Sequence, residues 1–116
     1  MMASEKNFEN RVKRWLCSIG IYPLATPIQK KPVPAIGYWV KRWGGGIYQK
    51  KGLPDMQIVV KGRCIEVELK GEGGHPSEIQ KKVIKEINES GGVGIVIYPD
   101  EFEILKEMIR GIIDGN

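Results

Sequence analysis

The sequence predicts an α/β fold, a mixed β-sheet flanked by helices, in the order α-β-β-β-α-β-α. Three observations carry this. Residues 56–60 and 63–70 are rich in Ile and Val and are joined by Lys61-Gly62, which supplies the glycine a hairpin turn wants. A stretch with helical apolar spacing, Ile79, Val83, Ile84 and Ile87, separates that hairpin from another apolar run at 93–98, so a crossover connection is required. Apolar residues also recur at helical spacing near both ends of the chain.

Composition sets the limits. A chain of 116 residues makes one domain, spanning 1–116, large enough for a single core without staples. Hydrophobic residues at 41% and charged residues at 28% describe a soluble globular protein. No run approaches the roughly 18 apolar residues of a membrane span. The opening MMASEKNFEN lacks the apolar stretch of a secretory signal, so a cytoplasmic location with no membrane partner is expected. Cys17 and Cys64 show no metal-ligand spacing and are expected to be reduced. The net charge of +4 biases the chain modestly toward polyanions.

Residues 4–19 read as the first helix. Phe8, Val12, Trp15, Leu16 and Ile19 form its stripe, and Gly20 ends it. Glu9 borders that stripe and by spacing alone pairs with Lys13. Pro23, Pro27, Pro32 and Pro34 make residues 21–37 an irregular connection. A strand is expected at 38–43, followed by the glycine loop 44–46. There Lys41, Arg42, Lys50 and Lys51 surround Trp39, Trp43 and Tyr48, a mixture suited to phosphate contact and base stacking. At least one of the two tryptophans is expected to fill the core instead. The cations and glycines, Gly45 among them, are the better candidates for DNA contact.

In the second hairpin strand, Ile65, Val67 and Leu69 point one way and Glu66, Glu68 and Lys70 the other. The register brings Asp55, directly after Pro54, toward Glu68. Two carboxylates and an amine then share one place, and carboxylates so clustered suit magnesium or manganese. Ser77 and Gln80 form a capping-box pattern at the start of the next helix, which Gly91-Gly92 stop. His75 has no partner in sequence and reads as incidental. The run 93–98 reads as a strand covered on both faces. Asp100 and Glu103 suggest a second capping box, opening a helix through Phe102, Leu105, Met108, Ile109 and Ile112.

Pro54-Asp55, then Glu68-Leu69-Lys70 after a hairpin-length gap, resembles the PD-(D/E)xK signature of metal-dependent nucleases. Around it fall, in order, Trp39-Val40-Lys41, Gly44-Gly45-Gly46, Gly52-Leu53, Pro76-Ser77 with Gln80, Gly91-Gly92 and Tyr98-Pro99. Together these resemble the stand-alone VRR-NUC (virus-type replication-repair nuclease) domains of phages and bacteria. The resemblance covers nearly the whole chain and is loosest between residues 21 and 36.

It implies a restriction-endonuclease-like core and a magnesium- or manganese-dependent DNA endonuclease. Asp55 and Glu68 would hold the metal, with the main-chain carbonyl of Leu69 and a first-helix acid, Glu9 before Glu5, completing its ligands. Lys70 would position or activate the attacking water, and Gln80 would contact the catalytic groups or a phosphate. Lys41, Arg42, Gly45, Lys50, Lys51 and Ser77 would meet DNA. Stand-alone members look like dimeric junction resolvases, which implies a homodimer acting on branched DNA such as four-way (Holliday) junctions. Ile104, Ile109, Ile112 and Ile113 offer apolar surface for such an interface. Glu66 stands where the family often carries an apolar residue. It either orients Lys70 or bound water, or pairs with a cation from the first helix. A different reading keeps the nuclease fold as a catalytically silent DNA-binding or assembly module, and a tRNA-binding or transport module has only the basic charge in its favour.

Overall fold

The computed structural model describes residues 4–42 and 51–115. Helix α1 (Glu5–Ser18) is capped by Ser4, whose hydroxyl accepts the Asn7 N–H at 3.0 Å, and buries Phe8, Val12 and Leu16. Gly20 ends it at φ +96°, packed so closely that a Cβ there would lie 2.3 Å from the Pro34 carbonyl oxygen.

The sheet holds five strands in spatial order β1 (Ile21–Pro23), β2 (Gly37–Lys41), β3 (Met56–Val60), β4 (Arg63–Leu69) and β5 (Gly94–Ile97). The pairs β2–β3 and β3–β4 are antiparallel, while β1–β2 and β4–β5 are parallel. Helix α2 (Glu78–Glu89) makes the expected crossover, and α3 (Phe102–Ile113) closes the chain. This is the mixed sheet flanked by helices that the pattern predicts, with one strand more. The extra strand, β1, falls in the stretch read as irregular. Pro23 is tolerated because β1 is an edge strand and the proline ends it.

Alternation along the strands divides the two faces. Met56, Ile58, Val60, Ile65, Val67, Leu69, Trp39 and Ile97 form one buried face under α1 and α3. The opposite face carries Glu66 and Glu68 and is covered by α2, where Ile84 and Ile87 press on Gly94. Trp39 is thus a core residue, with the Lys13 ammonium 5.4 Å from its ring centre.

Several local expectations shift. Strand β5 is an edge, and Ile95 and Val96 are only half-buried rather than covered on both faces. The second capping box is displaced by two residues: the Tyr98 N–H donates to the Glu101 carboxylate at 3.0 Å, across a short 3-10 turn at Pro99–Glu101. Of the α3 isoleucines read as surplus, Ile109 is fully buried and Ile112 and Ile113 pack on the core. Ile104 is exposed, at 48%. On α2, Val83 is buried but Ile79 lies partly outside, against Gly52.

Candidate active site and metal centre

Met56 faces Val67 in the β3–β4 ladder, so one step further Asp55 faces Glu68 on the α2 side of the sheet. Each acid holds main chain at the other's position: Glu68 holds that of Asp55, and Asp55 that of Leu69, next to Glu68. The Asp55 N–H donates to Glu68 Oε1 at 3.1 Å, and the Leu69 N–H donates to Asp55 Oδ2 at 3.2 Å. Glu68 Oε2 receives Lys70 Nζ at 3.2 Å and Gln80 Nε2 at 3.0 Å. Gln80 Oε1 meanwhile accepts the Ser77 N–H at 2.8 Å, and the Ser77 hydroxyl accepts the Gln80 N–H. Gln80 therefore completes the capping box and contacts the acid at once. The amide oxygen serves the cap and the amide nitrogen serves Glu68.

Glu68 is only 1% exposed. Burial, and next the charge of Asp55, push its carboxyl up to about 7, against the lowering effect of Lys70. Burial beside a second carboxylate thus makes the ionised form of Glu68 costly unless a cation stands next to it.

A second group approaches from α1. Glu9 is buried, and its two oxygens receive Lys13 Nζ at 2.8 Å and Lys41 Nζ at 2.7 Å. Burial raises its pKa, but the hydrogen bonds and charge of the two lysines outweigh that and hold it below the usual carboxylate value. Lys41 also lies 3.9 Å from Asp55 Oδ1. The helix and the site are further tied at Gly71, directly after Lys70, where a Cβ would sit 2.5 Å from the Glu5 nitrogen.

Arg42 lies at the end of β2, and its guanidinium turns inward. It is bidentate to Glu66, at 2.6 and 3.0 Å, and donates to the Pro54 carbonyl at 2.9 Å, while its own N–H donates to the Asp55 carbonyl at 2.7 Å. It thus clamps the segment that carries Asp55. The cation paired with Glu66 comes from β2, not from the first helix, and Gln57, its register partner, adds a hydrogen bond at 3.2 Å. Gln57 was not singled out by the sequence, although the alternation of a hairpin whose Asp55 faces Glu68 puts it opposite Glu66.

Asp55, Glu68, Lys70 and Gln80 are brought together, with Leu69 beside them. Glu9 connects to them through Lys41. Lys41 and Arg42, expected at DNA, are instead engaged with acids of the site. Gly45 and Lys50 lie outside the described residues, as do Trp43 and Tyr48. Lys51 is exposed, and the hydroxyl of the exposed Ser77 serves the helix cap. A cavity of about 440 Å³ beside the 72–73 turn is lined by Glu72, Asp100 and Glu101, a charge that disfavours phosphate.

Among the described residues no three His, Cys, Asp or Glu side chains converge on one point. The available donors are the Asp55 and Glu68 carboxylates and the Leu69 carbonyl. The Leu69 N–H points to Asp55, and the N–H and C=O of a strand residue face the same way, so that carbonyl lies on the Asp55 side. These are hard oxygen donors of the kind magnesium or manganese takes. Glu9, already matched by two ammoniums, is the weaker member of the set. The chain matches no family model, and searches of curated proteins and of solved structures returned no match. Among the described residues, no helix is long and apolar enough to cross a membrane.

Proposed function

We propose that this chain is a magnesium- or manganese-dependent DNA endonuclease of the VRR-NUC type, with a restriction-endonuclease-like core. The observation that carries the reading is the reciprocal grip of Asp55 and Glu68, with Lys70 and Gln80 both on Glu68 Oε2. Asp55 and Glu68, with the Leu69 carbonyl, would hold the ion. A bound ion of this kind lowers the pKa of its water and neutralises phosphate charge. Gln80 fixes the rotamer of Glu68, so its second oxygen stays aimed at Lys70. Lys70 presents its ammonium beside that carboxylate, where it orients the attacking water and offsets the charge that builds on the phosphate. Arg42 and Glu66 hold the Pro54-Asp55 bend in place beneath them.

The substrate reading is branched DNA, the four-way junction foremost, cut by a homodimer. Symmetric cutting of two strands needs two sites related by a two-fold axis. With most of the α3 isoleucines taken up by the protein's own core, the dimer rests on that symmetry argument and on the family resemblance. A second reading, a DNA-binding or assembly module without turnover, is favoured by one observation: Glu9 is already neutralised by Lys13 and Lys41.

Supercoiled plasmid and duplex, flap, nicked and four-way-junction DNA, incubated side by side with EDTA, magnesium or manganese, separate the two. Metal-dependent cutting by the wild type that is lost in Asp55→Asn supports the nuclease. Binding without cutting of any substrate supports the silent module. Light scattering showing only monomer at micromolar concentration, alongside undiminished junction cleavage, would remove the dimer.

A further inference from the structure

We propose that Lys41 is an internal counter-cation of the metal site: its ammonium bridges Glu9 and Asp55 in the metal-free protein and is displaced when a divalent ion binds. The inference rests on the metal-site reading of Asp55 and Glu68 and deepens it.

Lys41 faces Met56 in the β2–β3 register, which sends its side chain to the α1 side of the sheet. It is 13% exposed, with Nζ 2.7 Å from Glu9 and 3.9 Å from Asp55. Without a cation there, the carboxylates that α1 and the start of β3 bring to this end of the sheet would repel each other. With it, Glu9, Asp55 and Glu68 are matched by Lys13, Lys41 and Lys70, and the formal charges of the cluster cancel. A divalent ion entering at Asp55 then meets an ammonium on the same carboxylate. The two cations oppose each other there, because like charges this close repel where little water screens them. Lys41, at 3.9 Å from Asp55 and 2.7 Å from Glu9, holds Asp55 by the longer contact and is the one to give way. Lysine suits such a role. It is a point charge on a flexible four-carbon stem, whereas the neighbouring Arg42 is locked by its bidentate pairing. The displaced ammonium keeps its 2.7 Å contact with Glu9.

A merely structural prop makes the opposite prediction. Removing a prop would loosen Asp55 and weaken metal binding, whereas removing a competing charge would strengthen it. Calorimetric titration with Mn²⁺ of wild type, Lys41→Met and Asp55→Asn decides the sign. Lys41→Met should bind at least about tenfold more tightly than wild type, the order expected for removing one unit charge at this range. Asp55→Asn should bind more weakly. A second measurement needs no variant at Lys41. Acylation of lysines in the wild-type protein, read by mass spectrometry, should label Lys41 slowly in EDTA and faster in Mn²⁺, with no change in Glu68→Gln. Equal or weaker Mn²⁺ binding by a folded Lys41→Met, or labelling of Lys41 that ignores Mn²⁺ in a wild type that binds it, overturns the proposal and leaves the metal site standing. A wild type that binds no Mn²⁺ overturns both.

Discussion

Replacing Glu68 by glutamine should flatten the pH dependence of stability. In the folded protein this carboxyl is raised from 4.5 to about 7, chiefly by burial and then by Asp55. Its ionisation therefore costs roughly 3 kcal/mol more in the folded chain than in the unfolded one. Below pH 4.5 the group is protonated in both states and contributes no slope. Between 4.5 and about 7 the folded protein keeps a proton that the unfolded chain has lost, so stability falls as pH rises. Above 7 both states are ionised and the slope vanishes. For a domain of this size the full loss amounts to about 10 °C in Tm. Glu9, with its lowered pKa, acts in the opposite sense but only below its ordinary value of 4.5, outside the window. Thermal melts in EDTA from pH 5 to 8.5 should show the wild type losing Tm and Glu68→Gln nearly level. The variant's absolute Tm is expected to fall, because its amide cannot accept from Lys70, Gln80 and Asp55 all at once. The slope is the readout. Parallel curves for the two proteins would refute the argument.

Lys70→Ala should lose cleavage while keeping most DNA affinity by fluorescence anisotropy, since one cation removes at most one phosphate contact. If binding falls with cleavage, Lys70 is a docking residue instead. Arg42→Ala strips Glu66 of its bidentate partner and frees the Pro54 bend, which should cost about 1–3 kcal/mol in urea unfolding. The salt dependence of DNA binding should stay unchanged in that variant, and a flatter one would return Arg42 to the DNA. Gly52 sits at φ +84°, and a Cβ there would lie 2.9 Å from Ile79 Cγ1 and 3.0 Å from its carbonyl oxygen. Gly52→Ala should therefore destabilise by about 1–3 kcal/mol, and a stability equal to wild type would show that the loop yields without strain.

Which features were legible follows from how far apart in the chain their causes lie. The hairpin, the crossover and the Ser77 cap are written within a few neighbouring residues, as period-two alternation, a glycine turn and an i,i+3 pair. The approach of Asp55 to Glu68 could be read because a two-residue turn fixes the hairpin register. Strand β1 could not, since three residues ending in proline carry no period and are strands only because β2 lies beside them. Likewise Glu9 declares Lys13 by helical spacing, but Lys41 reaches it only once β2 has been laid under α1. The pairing of Arg42 with Glu66 crosses β3 and needs two strand registers at once, so its guanidinium read as a DNA contact. The α3 isoleucines read as surplus because helical spacing does not say how far the core wraps around the helix.

The mutual grip of Asp55 and Glu68 turns two amide protons into built-in reporters. The Asp55 N–H ends on a Glu68 oxygen, and the Leu69 N–H ends on an Asp55 oxygen. In a nitrogen–proton correlation spectrum each resonance therefore reports on the hydrogen bond to a different carboxylate. Protonating Glu68 weakens the acceptor of the Asp55 amide alone, and paramagnetic manganese bound between the acids would broaden both signals before those of the hairpin turn at Lys61-Gly62. The two acids at the end of the sheet can thus be followed through their own backbone amides, without substrate and without a label placed between them.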